Sequence, residues 1–165
     1  MRIRDIDEPL YHDPIRNYNA GPGVRHWILR SDEDACLPEQ LAWQWLSPWA
    51  KEKNMKSAIN AKLEKLLTPY YRGLMKSGRI LVPADGWFEW TAVDRKKQPW
   101  YIKPKNNQPL LLAALTNLPP GVEGDAGSGF VIVTNESAGG DGGHSRPPSS
   151  LIVAGGRSRL ARPGI

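Results

Sequence analysis

Apolar residues fall in short runs separated by polar or Gly- and Pro-containing breaks, a spacing that predicts strands rather than long helices. After a Tyr18 to Gly23 turn, Val24 to Arg30 predicts a strand, ended by the polar loop Ser31 to Asp34. Leu41 to Leu46 has the bulk for another, stopping at Ser47-Pro48-Trp49, and the basic run Lys51 to Lys56 is expected as a solvated loop. Leu63, Leu66 and Leu67 sit at helical spacing in a segment opened by Ile59-Asn60 and closed by Pro69. A second short helix is expected over Tyr70 to Ser77, with Gly78 as its stop. Ile80-Leu81-Val82 predicts a strand entering a Pro83 to Gly86 turn, and a following strand carries Trp87-Phe88-Glu89-Trp90. Pro99 to Pro104 and Leu110 to Leu115 are expected to pair around a turn at Asn106-Asn107, and Gly129 to Thr134 supplies one more strand. Residues 1 to 17, broken by Pro9 and Pro14, are expected to form an irregular arm. The sum is an α+β fold: a mainly antiparallel sheet curled toward a barrel, with a few short helices, in one domain covering residues 1 to 165.

Composition changes this picture mainly at the C-terminal end. The net charge of +5 suggests an anionic partner, but Arg146, Arg157, Arg159, Arg162 and Asp141 together contribute +3, leaving +2 for the rest. Eleven of the sixteen glycines stand at or after Gly121, and no Phe, Trp or Tyr follows Phe130. The tail therefore has a different character from the body. Cys36 is the one cysteine and excludes an internal disulfide. No apolar run reaches membrane-spanning length and no leader opens the chain, which predicts a cytoplasmic protein without membrane contact; a monomer with no metal or cofactor is expected.

The strongest chemical candidate is Glu89. Strand alternation puts Trp87 and Glu89 on one face and Phe88 and Trp90 on the other, so the carboxylate shares its face with an indole. Such a neighbourhood can raise a carboxyl pKa toward proton-transfer duty. Alone, the residue reads equally as a strand-end Glu reaching solvent or a lysine. Seven tryptophans are many for 165 residues, and their rings serve as core, as sugar platforms or as stacking surfaces for bases.

Four ordered blocks resemble one family, the SOS response-associated peptidase (SRAP) domain: Tyr18-Asn19 to Pro22, Trp45 to Lys51, Ile59 to Glu64, and Arg79 through Trp90. Lys97 to Ile102 and Phe130 to Thr134 continue the order, so the match covers most of residues 14 to 135. The resemblance implies an abasic-site processing protein of the DNA-damage response that acts on single-stranded DNA containing abasic sites. Complete members expose an N-terminal cysteine by autoproteolytic loss of Met. Its amine and thiol then close a thiazolidine on the sugar aldehyde, a covalent DNA–protein link with associated lyase activity. By resemblance Glu89 is the acid–base carboxylate and Asn60 orients the aldehyde; a helix N-cap is the competing role for Asn60. Lys62 stands where the family usually has Arg, as a phosphate contact. Trp49 and Trp90 would meet unpaired bases, Asn19 joins the DNA-binding set, and Trp43, Trp45 and Trp100 are expected in the core.

The sequence departs from that family at both ends. It begins Met1-Arg2-Ile3-Arg4 where the family has Met-Cys-Gly-Arg, and Cys36, read as a small half-buried residue in a loop, cannot supply an α-amine. From about Gly142, the stretch Gly142-Gly143-His144-Ser145-Arg146-Pro147-Pro148 has synonymous codings that, read one nucleotide later, spell the family's Val-Asp-Ile-His-Asp-Arg-Arg. Ala154 to Arg159 likewise can hide Pro-Glu-Asp-Ala-Arg. The expectation is a reading frame that slips before Gly142, an irregular and out-of-frame tail over residues 139 to 165, a truncated C-terminal portion, and a destabilised chain with defective catalysis. Two other readings stay open: a non-catalytic single-stranded DNA-binding module, and a Trp-rich carbohydrate binder.

Overall fold

The computed structural model describes residues 2–3, 17–32, 35–93, 96–105, 108–124 and 127–135. The N-terminal arm from Arg4 to Arg16, the Asn106-Asn107 turn, His144 and the whole tail lie outside these described residues. Among the described residues, nine strands and two short α-helices follow in order: β1 (Arg2–Ile3), β2 (Arg25–Asp32), β3 (Ala35–Ala42), α1 (Pro48–Glu52), β4 (Asn60–Lys62), α2 (Arg72–Ser77), β5 (Arg79–Ala84), β6 (Trp87–Val93), β7 (Lys96–Ile102), β8 (Leu110–Thr116) and β9 (Phe130–Thr134). Seven strands form one sheet in the order β1-β3-β2-β5-β8-β9-β4, and β6 and β7 form a separate two-stranded ribbon. The α+β expectation holds.

The large sheet is antiparallel in its middle and parallel at its margins, where β1 joins β3 and β4 joins β9. Pairing does not close it, but it curls. Gly129, at the start of β9, lies so near the end of β3 that an added methyl group would overlap the Ala42 carbonyl. Leu46 also donates its amide to the Gly127 carbonyl at 2.8 Å. Only glycine lets the two backbones approach this closely.

The middle strands are covered on both sides. Phe130 and Ile132 enter a cluster with Ile28, Leu41, Ile80, Val82, Leu112 and Ala114. Val131 and Val133 point the other way, joining Trp45, Ala61, Leu66, Leu74 and Leu115. A continuous apolar run such as Phe130-Val131-Ile132-Val133 is what a strand buried on both faces requires. Each such side chain contributes about 1.5–3 kcal/mol of transfer free energy. One charge pair is drawn into this interior: Arg30 is 5% exposed and meets both carboxylate oxygens of Glu39 at 3.1 Å.

Several expectations are corrected. The strand expected at Leu41–Leu46 lies earlier, as β3, and Trp45 makes only a bridge to Ala58. Pro38 lies within β3, opposite Leu29 of β2. Cys36 is a buried strand residue, 2% exposed, rather than a half-buried loop residue. Lys51 and Glu52 belong to helix α1, which Ser47 caps by accepting the Ala50 amide. Asn60–Lys62 forms a strand followed by a 3-10 turn at Leu63–Lys65, so Asn60 is not an N-cap. Its partner strand β9 overrides the local helical spacing, and Leu63 and Leu67 are left exposed. Pro99–Ile102 pairs with β6 rather than with β8, which is occupied by β5 and β9. Pro83 and Ala84 complete β5 instead of turning. Helix α2 begins at Arg72 rather than Tyr70 and ends at the expected Gly78 stop.

Candidate functional site

Asn60 opens β4, the margin of the large sheet, opposite Ile132 of β9. Its side chain is exposed and takes no hydrogen bond among the described residues. The backbone around it is held much more firmly. Trp45 and Ala58 exchange two backbone hydrogen bonds of 2.8 and 2.7 Å just upstream. The Ile59 carbonyl accepts twice, from the Ile132 amide at 3.0 Å and from the Trp43 indole N–H at 2.8 Å. The Tyr71 hydroxyl donates to the Asn60 carbonyl at 3.5 Å, the outer limit for such a bond. An exposed amide thus projects from a backbone fixed on both sides.

Lys62 ends the same strand opposite Thr134 and is half-buried. Two residues along a strand return to the same face, so the Lys62 ammonium and the Asn60 amide leave β4 on one side. Ala61, between them, is fully buried on the other.

Glu89 lies in the ribbon, opposite Trp100 of β7. The alternation foreseen for this strand is present: Trp87 and Glu89 are half-buried, whereas Phe88 and Trp90 are 54% and 57% exposed. One Glu89 carboxylate oxygen accepts the Trp90 amide at 3.4 Å. The Trp87 indole N–H beside it is buried without a partner among the described residues. Trp100, expected in the core, is half-exposed, because the ribbon offers it no second layer. Trp45 is buried as expected. Trp43 is half-buried, with its ring packed against the first core cluster.

Trp49 stands on α1, 52% exposed, with the Lys53 ammonium 4.8 Å from its ring centre. That contact leaves one face of the indole for a flat ligand. Asn19 is exposed in the turn before β2, its amide donating to the Asn17 side chain at 3.0 Å. The candidate residues therefore occupy four separate elements. Asn60 and Lys62 are brought together on one strand and Glu89 and Trp90 on another, and no hydrogen bond or ion pair joins the two pairs among the described residues.

Sequence reasoning missed Tyr71. Its ring meets that of Tyr70 edge-on and that of Trp45 at a tilt, with ring centres 4.7 and 5.7 Å away. Burial, helped by neighbouring Tyr70, raises its hydroxyl pKa above the ordinary 10.0. The adjacent Tyr70-Tyr71 pair was the only signal for it.

Residues 4–155 match the family model described as SOS response associated peptidase (SRAP). The abasic site processing protein YedK of Escherichia coli is 33% identical over 137 residues, which cover 81% of this chain and 60% of that protein. The abasic site processing protein YoqW of Bacillus subtilis is 32% identical over 113 residues, 67% of this chain and 49% of that one. Among solved structures, a phage-related protein from Bordetella bronchiseptica superposes with a TM-score of 0.66 at 37% identity, covering 79% of this chain and 62% of that chain. The chain spans about half to three-fifths of the length of the curated relatives it matches.

Proposed function

The chain belongs to the SOS response associated peptidase family, and from that premise we propose that it binds single-stranded DNA at abasic sites. In this reading Asn60 orients the opened sugar aldehyde and Glu89 moves the proton. Lys62 and Asn19 contact the backbone, and Trp49 and Trp90 stack on the flanking unpaired bases. The observation that supports it best is the contrast in exposure: Asn60, Trp49 and Trp90 are open to solvent while Trp45 and Ala61, their neighbours in sequence, are buried. The relatives named for abasic site processing point the same way.

In the family's covalent reaction the amine and thiol of an N-terminal cysteine would form the link. Cys36 is unsuited to that step: it is internal, buried at 2% exposure and paired with Ser31 in the sheet. The 165-residue polypeptide is therefore proposed to hold abasic DNA without linking to it through cysteine. Mixing it with a single-stranded oligonucleotide carrying one abasic site should give salt-sensitive, reversible binding and no band surviving denaturing electrophoresis. A denaturation-resistant adduct would refute the second half of this reading, and absence of any binding the first. Equal affinity for intact and abasic strands would instead favour the non-catalytic binding module.

A further inference from the structure

We infer that Trp43 is a positioning residue for Asn60, acting through the carbonyl of Ile59; this deepens the abasic-site reading above and rests on it. The indole N–H of Trp43 reaches across from the end of β3 to the Ile59 oxygen at 2.8 Å. The bond is short and well formed for a nitrogen donor. The second lone pair of the same oxygen is taken by the Ile132 amide at 3.0 Å, so both acceptor positions are used. That carbonyl belongs to the peptide linking Ile59 to Asn60. Fixing its plane fixes the direction from which the Asn60 side chain departs.

Trp43 is itself held on three sides. Its amide donates to the Val24 carbonyl at 2.9 Å and its carbonyl accepts the Gly23 amide at 3.0 Å. Its ring meets the His26 ring edge-on, with centroids 6.2 Å apart. A rigid donor on a rigid strand end is what a supporting residue for an exposed functional group requires. A half-buried indole N–H needs an acceptor in any case; the one it takes is the carbonyl of the peptide leading into Asn60, at the point where β4 begins its pairing with β9. Without the indole donor, the peptide before Asn60 keeps one hydrogen bond and can rock about it, and the amide loses its aim while the strand persists.

The test compares two strands that differ only in the aldehyde: one with a natural abasic site, and one with its tetrahydrofuran analogue, which cannot open. The ratio of their affinities for the 165-residue chain isolates the contact made by Asn60. N60A should abolish the preference for the natural site. W43F should lower it by about threefold to tenfold, the effect of one lost hydrogen bond, with affinity for the tetrahydrofuran strand unchanged. In the N60A background W43F should change the ratio no further. If N60A abolishes the preference and W43F leaves it intact, or lowers affinity for both strands alike, the role of Trp43 is packing and the inference falls. If N60A leaves the preference intact, the role of Asn60 fails first and takes this one with it. W43Y is measured alongside W43F, and absence of a cooperative melt in both also assigns the indole to packing and overturns the inference.

Discussion

The Gly78 carbonyl accepts the Thr116 amide at 2.8 Å, and the Thr116 carbonyl passes so close that a methyl group on Gly78 would overlap it. The same glycine ends α2 by donating to the Leu74 carbonyl. One residue without a side chain thus seats the helix against β8 just before β5 begins.

Gly78→Ala should therefore destabilise the fold at or above the upper end of the usual overpacking range of about 1–3 kcal/mol. Chemical denaturation of the two chains would measure it. A loss below about 0.5 kcal/mol would mean that α2 shifts freely away from β8.

Arg30 and Glu39 make the opposite kind of contact, a buried two-point ion pair between β2 and β3. Glu39→Ala should cost about 3–5 kcal/mol, because the Arg30 guanidinium is left buried and alone. Replacing both, as R30M with E39L, should recover most of that loss. Melting temperatures of the parent chain and the two variants decide between a pair that stabilises and a pair that is merely tolerated.

Much of this architecture is legible in the residue order, and the exceptions share a cause. The apolar run Phe130 to Val133 declares a strand covered on both faces, and Gly78 declares a helix end. Glu89 sits on the half-buried face that simple alternation assigns to it. What escapes is decided by distant partners. Asn60 to Lys62 has helical spacing after it, yet becomes a strand because Ile132 to Thr134 lies alongside. Pro99 to Ile102 looks like a partner for Leu110 to Leu115 until β5 and β9 occupy both sides of β8. Of the site itself, the exposed Trp49, Asn60 and Trp90 could be named from motif positions, whereas the supporting contacts from Trp43 and Tyr71 arise only once the chain is folded. Helix α1 is a different case: Ser47-Pro48 is a readable start signal, obscured by the lysines that follow.

The tryptophans should divide sharply by location. W49A and W90A, at exposed positions, should each weaken binding to a single strand by about 1–3 kcal/mol with little change in melting temperature. W45A should instead cost about 3–5 kcal/mol of stability. It would empty the space beside Tyr70 and Tyr71 and leave the exposed Asn117 side chain without its indole donor. Fluorescence anisotropy with a labelled strand, run beside thermal melts, separates the two classes. Loss of stability in W90A equal to that in W45A would place the ribbon ring in the core.

Alkaline pH offers a probe of Tyr71. Burial raises its folded-state pKa above the unfolded value of about 10, so the folded chain keeps the proton over a pH range in which the unfolded chain loses it. The contribution to stability is intact below about pH 10 and is lost as pH rises through that value toward the folded pKa. Y71F should flatten this decline in denaturation curves collected from pH 9 upward. An unchanged slope would show that Tyr71 ionises as freely in the fold as outside it.

The separation of the β6–β7 ribbon from the large sheet has a kinetic meaning. Asn60 belongs to a ladder of seven strands, but the amide protons around Glu89 are guarded only by a two-stranded one, an arrangement of marginal stability by itself. The ribbon can open without breaking any ladder hydrogen bond of the larger sheet. Deuterium should therefore enter Trp87 to Val93 well before it enters Phe130 to Thr134. The two halves of the candidate site would then have different lifetimes, with the amide of Asn60 standing ready while the carboxylate comes and goes.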